Sequence, residues 1–380
     1  AFGTFVSALS VRLIDPVVPQ IARDFGVSAA TAALLSAAFT FPYALGQPVL
    51  GPLGDAIGKA RVIKLGLLVL CLSLSLSALA PGIEALFIVR IIGGFAAGAI
   101  IPLALAMVGD RFLFEQRQIA LTRILLAATL GQIAGVTCSG VVASIFSWRL
   151  TMALCAIVTA VGLALTIAGL KPRAEVRRRP FTIGGIREGY ARVFENPRAY
   201  VCFLTVFLEG LSVFGLLPYI AVLLERSGAG GIREAGFVLS GMGVGGLLFT
   251  LFARPMLSVL GGMTNLMRAG GVMTAIGLMT VAVGDSWQLD MLGFAIIGCG
   301  FYMLHNSLQT EATELAPSHR GAAVAAHAFF FFLGQAAGVI VYQFAITAFG
   351  PELPVYCAAA LFLALAFWAA RMLERPKRLI

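Results

Sequence analysis

Arg12 and Asp15 stand three residues apart in VRLIDPVVP, inside a run that is otherwise apolar. Arg90 and Glu209 are set just as deep, in RIIGGFAAG and FLEGLSVFGLLPYI. An ionised side chain at the centre of a bilayer costs at least ~2.5–3.5 kcal/mol on insertion scales, so such residues ask for a use. Positions i and i+3 share a helix face, which lets Arg12 and Asp15 pair. A static buried pair adds little stability. The chemistry that suits it is proton exchange, with Asp15 taking up and releasing a proton and Arg12 setting its affinity. Glu209 is a second candidate carrier. Arg90 does not lose its proton in practice, so it needs a water-filled cavity or a carboxylate.

A polar stripe lies further along the chain. In GFYMLHNSLQTEATEL, Tyr302, His305, Asn306, Gln309 and Thr313 recur at the spacing of one helix face. A polar stripe avoids lipid, so it either lines a pathway or bonds neighbouring helices. Tyr43 and Gln132, also inside apolar segments, join Tyr302, His305, Asn306 and Gln309 as candidates for contact with a solute. Glu311 and Glu314 fall near the end of the run and read as gate or loop contacts.

The elements that must hold these residues are membrane spans. Of 380 residues, 59% are hydrophobic and 12% charged, against about 25% charged in soluble domains; mean hydropathy is +0.95. A spanning helix needs about 20 mostly apolar residues. Twelve runs qualify: 1–22, 29–50, 62–81, 84–108, 119–144, 148–170, 198–224, 235–257, 263–284, 288–314, 321–349 and 353–373. The first is not a signal peptide, because Arg12 and Asp15 interrupt it and eleven more runs follow. The sequence opens on Ala1 rather than Met, so residues upstream are expected. Asp15-Pro16 and Pro19 are expected to kink the first span.

The net charge of +9 is a matter of topology, not of nucleic acid, since no DNA or RNA motif accompanies it. All but six of the 27 Lys and Arg residues fall on one set of alternate loops and the C-terminal tail. The exceptions are Arg23, Arg149, Arg226 and Arg233 on the other side and Arg12 and Arg90 within spans. Basic loops stay inside, so both termini are expected in the cytoplasm. The longest loop, 171–197, is basic and divides the chain into residues 1–170 and 198–380, six spans each. Such a division suggests two parallel repeats with a solute site between them near the midplane. Ile183 to Phe194 of the loop reads as a short helix on the membrane surface.

Enzyme and cofactor classes find no support. GxSxG, HExxH and P-loop patterns are absent. His305, His319 and His327 lack a metal-ligand spacing, and the six cysteines are scattered singly. GMGVGG at 241–246 sits within an apolar run and reads as helix packing rather than a dinucleotide loop. No metal or cofactor is expected. A receptor or scaffold is disfavoured for want of a sizeable soluble domain.

GPLGDAIGKAR at 51–61 resembles the signature loop of the major facilitator superfamily, roughly G-x-L-(A/G)-D-(R/K)-x-G-(R/K)-(R/K). Gly51, Leu53, Gly54, Asp55, Gly58, Lys59 and Arg61 match or nearly match, and Ala56 stands where a basic residue is usual. RIIGGFAAG resembles a second motif, R-x-x-x-G before small residues, through Arg90 and Gly94. LGQIAGVTCSG is similar to the antiporter motif G-x-x-x-G-P-x-x-G-G through Gly131, Gly135 and Gly140, with Val136 for the proline and Ser139 for a glycine. ARPMLSVLGG at 253–262 looks like a worn second copy of the loop at 51–61, and ELAPSHRG with FFFFLGQAAG resembles bacterial drug/proton antiporters of the superfamily.

The resemblance implies an all-α membrane protein with 12 transmembrane helices in two six-helix bundles of pseudo-symmetric arrangement. It implies a monomer of the bacterial inner membrane, in contact with lipid. It also implies a latch on the cytoplasmic side from Gly51, Asp55, Gly58, Lys59 and Arg61, with Asp110 joining their charge network. The implied activity is proton-coupled export of drugs or small amphipathic metabolites by alternating access, with the proton gradient as energy source. The alternative is a selective carrier, even an importer, for a sugar, amino acid, lipid or organic anion; Arg12 and Arg90 together suit an anionic group.

Overall fold

A computed structural model describes residues 1–111, 114–170 and 183–374, with side chains left out of the description at 109–118 and 183. Among the described residues, twelve helices are long and apolar enough to cross a membrane. Spans 1 to 6 are Phe2–Phe25, Ala29–Ile57, Lys59–Ala78, Ile83–Val108, Ile119–Ile145 and Trp148–Gly169. Spans 7 to 12 are Pro197–Ser227, Ile232–Val259, Met263–Val283, Trp287–Leu315, Arg320–Phe349 and Glu352–Met372.

Eleven spans match the apolar runs within a few residues. The clearest departure is span 2, which continues to Ile57, so Gly51, Leu53, Gly54 and Asp55 lie in helix rather than in a loop. The turn narrows to Gly58, whose φ of +105° favours glycine. The helix survives Pro48 and Pro52 because freed backbone groups have no water to turn to in a bilayer. Its inner turn stays close to span 4, where a methyl on Gly54 would meet Leu103 Cδ2 at 2.5 Å.

Spans 1 and 7 are both broken. Span 1 is α-helical over Phe2–Val11, irregular at 12–14, a 3₁₀ turn at Asp15–Val17, and helical again over Val18–Phe25. Span 7 is helical over Pro197–Glu209, widens into a π-helix at Gly210–Phe214, tightens into a 3₁₀ turn at Leu217–Tyr219, and resumes at Ile220–Ser227. Pro16 and Pro218, which lack an N–H, sit in the two 3₁₀ turns. Each span ends on a left-handed glycine, Gly26 and Gly228.

The same correspondence runs through spans 5 and 11. LGQIAGV at 130–136 and LGQAAGV at 333–339 are near copies. Their glycines let helices approach backbone to backbone. Gly131 and Gly135 lie against Phe5 and Leu9 of span 1, and Gly334 and Gly338 against Phe207 and Leu211 of span 7. A methyl on Gly135 would meet the Leu9 carbonyl at 2.5 Å.

Contacts between the first six and last six spans occupy the middle of the bundle and the end away from the chain termini. Spans 5 and 8 cross at Gly140 and Gly236, where a methyl on Gly140 would meet Gly236 Cα at 2.9 Å. Tyr43 of span 2 packs on Phe332 of span 11, ring centroids 4.3 Å apart. Arg23 and Glu225, at the far ends of spans 1 and 7, form an exposed ion pair at 3.0 Å. At the end that holds the termini, the helix Ile183–Phe194 docks on spans 7 and 11 through Phe194, which meets Phe203 at 5.5 Å and Phe330 at 6.4 Å. Burial on this helix pushes the Tyr190 phenol up to about 12.

Candidate functional site

The break in span 1 creates its own binding groups. In an unbroken helix the Leu13 carbonyl would accept from the Val17 N–H, but that N–H bonds Ile14 instead. Leu13 O is taken by the Ser139 hydroxyl of span 5 at 2.5 Å, which gives the serine at this motif position a task a glycine lacks. Ser10 O receives Arg90 Nη1 from span 4 at 3.4 Å.

Asp15 is fully buried in the pocket this leaves. Its Oδ2 meets Arg12 Nη1 at 3.4 Å, and its Oδ1 accepts from the Ser36 hydroxyl of span 2 at 2.5 Å. Pairing and hydrogen bonding are what a charge in such a place requires. Arg12 has further partners. Its Nη2 donates to Gln335 Oε1 of span 11, and its guanidinium lies 4.6 Å over the Phe214 ring of span 7. Arg12 thus belongs to the first six spans and is held by the last six. Arg90, 1% exposed, lies with its guanidinium 4.0 Å over Phe39. Its Nε and Nη2 have no hydrogen-bond partner among the described residues.

A second buried centre sits in the last six spans. Glu209, the residue just before the π-helix of span 7, accepts from or donates to Nδ1 of His305 on span 10. Its other oxygen has no partner among the described residues, and neither does His327 Nε2 on span 11. The His305 and His327 rings lie 4.9 Å apart, and Phe301 and Phe331 pack on His305 at 5.0 and 4.6 Å. The centre is a carboxylate and two imidazoles walled by aromatic rings.

The stripe on span 10 divides along its length. Tyr302 borders a cavity of about 20 Å³ with Arg12, Gln132, Phe214 and Met242. His305 commits Nδ1 to Glu209. Asn306 is half-buried and Gln309 exposed. Thr313 bonds locally to the Thr310 carbonyl. Tyr302 and His305 thus pack between helices, whereas exposure rises from Asn306 to Gln309. Tyr43 is fully buried against Phe332.

Nearer the termini, Asp55 pairs with Lys59 at 3.2 Å across the Gly58 turn, and Arg61 is exposed. Gly51 is half-buried on the helix of span 2. The side chain of Asp110 lies outside the described residues. Glu311 meets Arg198 at 3.6 Å and Glu314 meets Arg320 at 3.5 Å.

Sequence reasoning finds Arg12, Asp15, Arg90 and Glu209, misses Ser36 and Gln335, and names Ser139 and His327 without the contacts they make here. The twin heptapeptides carry the signal for Gln335, since Gln132 stands at its equivalent.

The sequence profile of the Major Facilitator Superfamily matches residues 1–339. The chain belongs to this superfamily. Curated relatives include Multidrug resistance protein 1 of Bacillus subtilis, 24% identical over 344 residues, covering 89% of this chain and 86% of the relative. The quinolone resistance protein NorA of Staphylococcus aureus is 23% identical over 371 residues, covering 96% and 92%. Among solved structures, the nucleoside transporter NupG superposes with a TM-score of 0.80 at 16% identity, covering 98% of both chains. The human organic anion transporter MFSD10 gives 0.74 at 16% identity, covering 97% of both. As a member of the superfamily, the chain is an integral membrane transporter of the twelve-span fold.

Proposed function

We propose that this transporter exports drugs or small amphipathic metabolites in exchange for protons. Residues 1–170 and 198–380 rock as two bodies about a midplane site, opening to each side of the membrane in turn. The observation that carries the proposal is the Asp15 centre: a fully buried carboxylate whose guanidinium partner is itself held by the opposite body. Protonation of Asp15 removes half of that ion pair. A proton bound there therefore favours one conformation over the other, which is the differential affinity a coupled cycle needs. Glu209 with His305 offers a second proton position. Tyr43, Gln132, Tyr302, Asn306 and Gln309 border the route of the solute. The resistance functions named for the Bacillus and Staphylococcus relatives favour drugs as cargo.

With basic loops inside, the sealed end carrying Arg23 and Glu225 faces outward, and the termini and the Asp55–Lys59 turn lie in the cytoplasm. The protein works as a monomer in a bacterial inner membrane, draws on the proton gradient alone, and needs no cofactor.

A second reading has its own support. The unpartnered nitrogens of Arg90, together with Arg12, favour an anionic solute, and MFSD10 is named as an organic anion transporter. Inverted membrane vesicles separate the two. Ethidium accumulation that requires an acidic interior supports proton-driven export of amphipathic cations. Uptake of a labelled carboxylate or nucleotide analogue, with no ethidium movement, supports the anion carrier.

A further inference from the structure

We infer that Gln132 and Gln335 are alternate positioning residues for Arg12, one for each conformation. This rests on the two-body motion proposed above. The two glutamines occupy equivalent places in the twin segments LGQIAGV and LGQAAGV. The residue facing each is not equivalent. Spans 1 and 7 correspond through the pairs Phe5 and Phe207, Leu9 and Leu211, and Pro16 and Pro218. That correspondence sets Arg12 opposite Phe214, and the guanidinium lies over that ring at 4.6 Å. One guanidinium therefore serves two carboxamides.

Arg12 is bonded to Gln335 of the opposite body. Gln132, half-buried, has no hydrogen-bond partner among the described residues, yet it shares with Arg12 and Tyr302 a cavity of about 20 Å³. That is room for one water and a short path for the guanidinium.

Helix packing fixes which bond breaks. Gly131 and Gly135 lock span 5 to span 1, so Gln132 travels with Arg12. Gly334 and Gly338 lock span 11 to span 7, so Gln335 travels with the other body. When the bodies part at the end away from the termini, Arg12 leaves Gln335, and a buried cation without an acceptor is costly. Gln132, carried along on its own body, receives it. Gln335 thus stabilises the conformation seen here, and Gln132 stabilises the opened one.

The test uses the full chain in lipid nanodiscs at one fixed pH, without substrate. Spin labels are placed at Ala30→Cys and Arg226→Cys, near the sealed end, with the reactive native cysteines replaced by alanine. Electron–electron distance measurements then give the ratio of long-distance to short-distance populations. Gln335→Ala is expected to raise this ratio about tenfold, equivalent to about 1.4 kcal/mol. Gln132→Ala is expected to lower it by a similar factor, and the double variant to return near the parent. Gln335→Glu, which keeps an acceptor of the same length, is expected to hold the short distance. Shifts of the two alanine variants in the same direction, or no shift in either, overturn the inference while leaving the two-body motion standing. A single distance in the parent, unchanged when the measurement is repeated at a second pH and with added ethidium, overturns both.

Discussion

Asp15 is held by groups from three helices: Arg12 beside it, Ser36 from span 2, and through Arg12 the glutamine of span 11. Ser139 does comparable work on the backbone, because its hydroxyl is the donor to the Leu13 carbonyl that the break in span 1 sets free. Ser139→Ala leaves that buried oxygen unpaired, and an orphaned buried acceptor costs about 1–3 kcal/mol. A lowered midpoint in thermal unfolding of the purified variant, with the fold retained, is the expected result. At this scale the sequence is half legible. The Arg12–Asp15 pair can be read because three residues on one chain segment fix their proximity. The Glu209–His305 pair cannot, because it depends on how spans 7 and 10 are rotated about their axes, and no local pattern records that.

Spans 1 and 7 owe their breaks to Pro16 and Pro218, and the repeated break is the main structural device of the fold. Broken helices expose carbonyls at membrane depth only where protein or water covers them, and here Ser139 and Arg90 supply the cover for span 1. Glycines then decide which helices pack backbone to backbone. Spans 1 and 5 and spans 7 and 11 are joined by pairs of glycines, whereas spans 5 and 8 meet across the two bodies at Gly140 and Gly236. Gly236→Leu drives a side chain into the Val136 carbonyl and Gly140, so spans 5 and 8 cannot close. The variant is expected to insert and fold, yet lose most transport, and to show the long distance between labels at positions 30 and 226. A variant with normal transport contradicts this assignment of the crossing. Apolar length alone identified every span. It did not foresee the extension of span 2 through 51–57, because Pro48, Gly51, Pro52 and Gly54 read as loop residues, whereas the segment is helical and packs on Leu103 of span 4 at Gly54.

For the molecule as a whole, the end away from the termini is closed by the Gly140–Gly236 crossing and, at its rim, by Arg23 and Glu225. The rim pair is solvent-exposed, and exposed pairs contribute about 0–1 kcal/mol. Arg23→Glu is therefore expected to change the thermal midpoint little, while like charges at the rim raise the long-distance population. Combining it with Glu225→Arg is expected to restore the parent distribution, as measured with the same labels. The six-plus-six division and the cytoplasmic placement of the termini are expectations read from the charge of the loops, a whole-chain property that needs no knowledge of contacts. How the two halves meet was hidden, because it depends on contacts between residues far apart in sequence, such as Gly140 with Gly236, Tyr43 with Phe332 and Arg12 with Gln335.

The central claim is that ionised side chains gathered where the two bodies meet carry the exchanged proton. Its most direct test is ethidium flux in inverted vesicles under an imposed pH gradient, comparing the parent with Asp15→Asn and with Asp15→Asn combined with Glu209→Gln. The account predicts at least a tenfold loss of gradient-driven accumulation in Asp15→Asn, deeper still in the double variant, with ethidium binding to the purified protein retained. Undiminished gradient-driven accumulation in the double variant would contradict it.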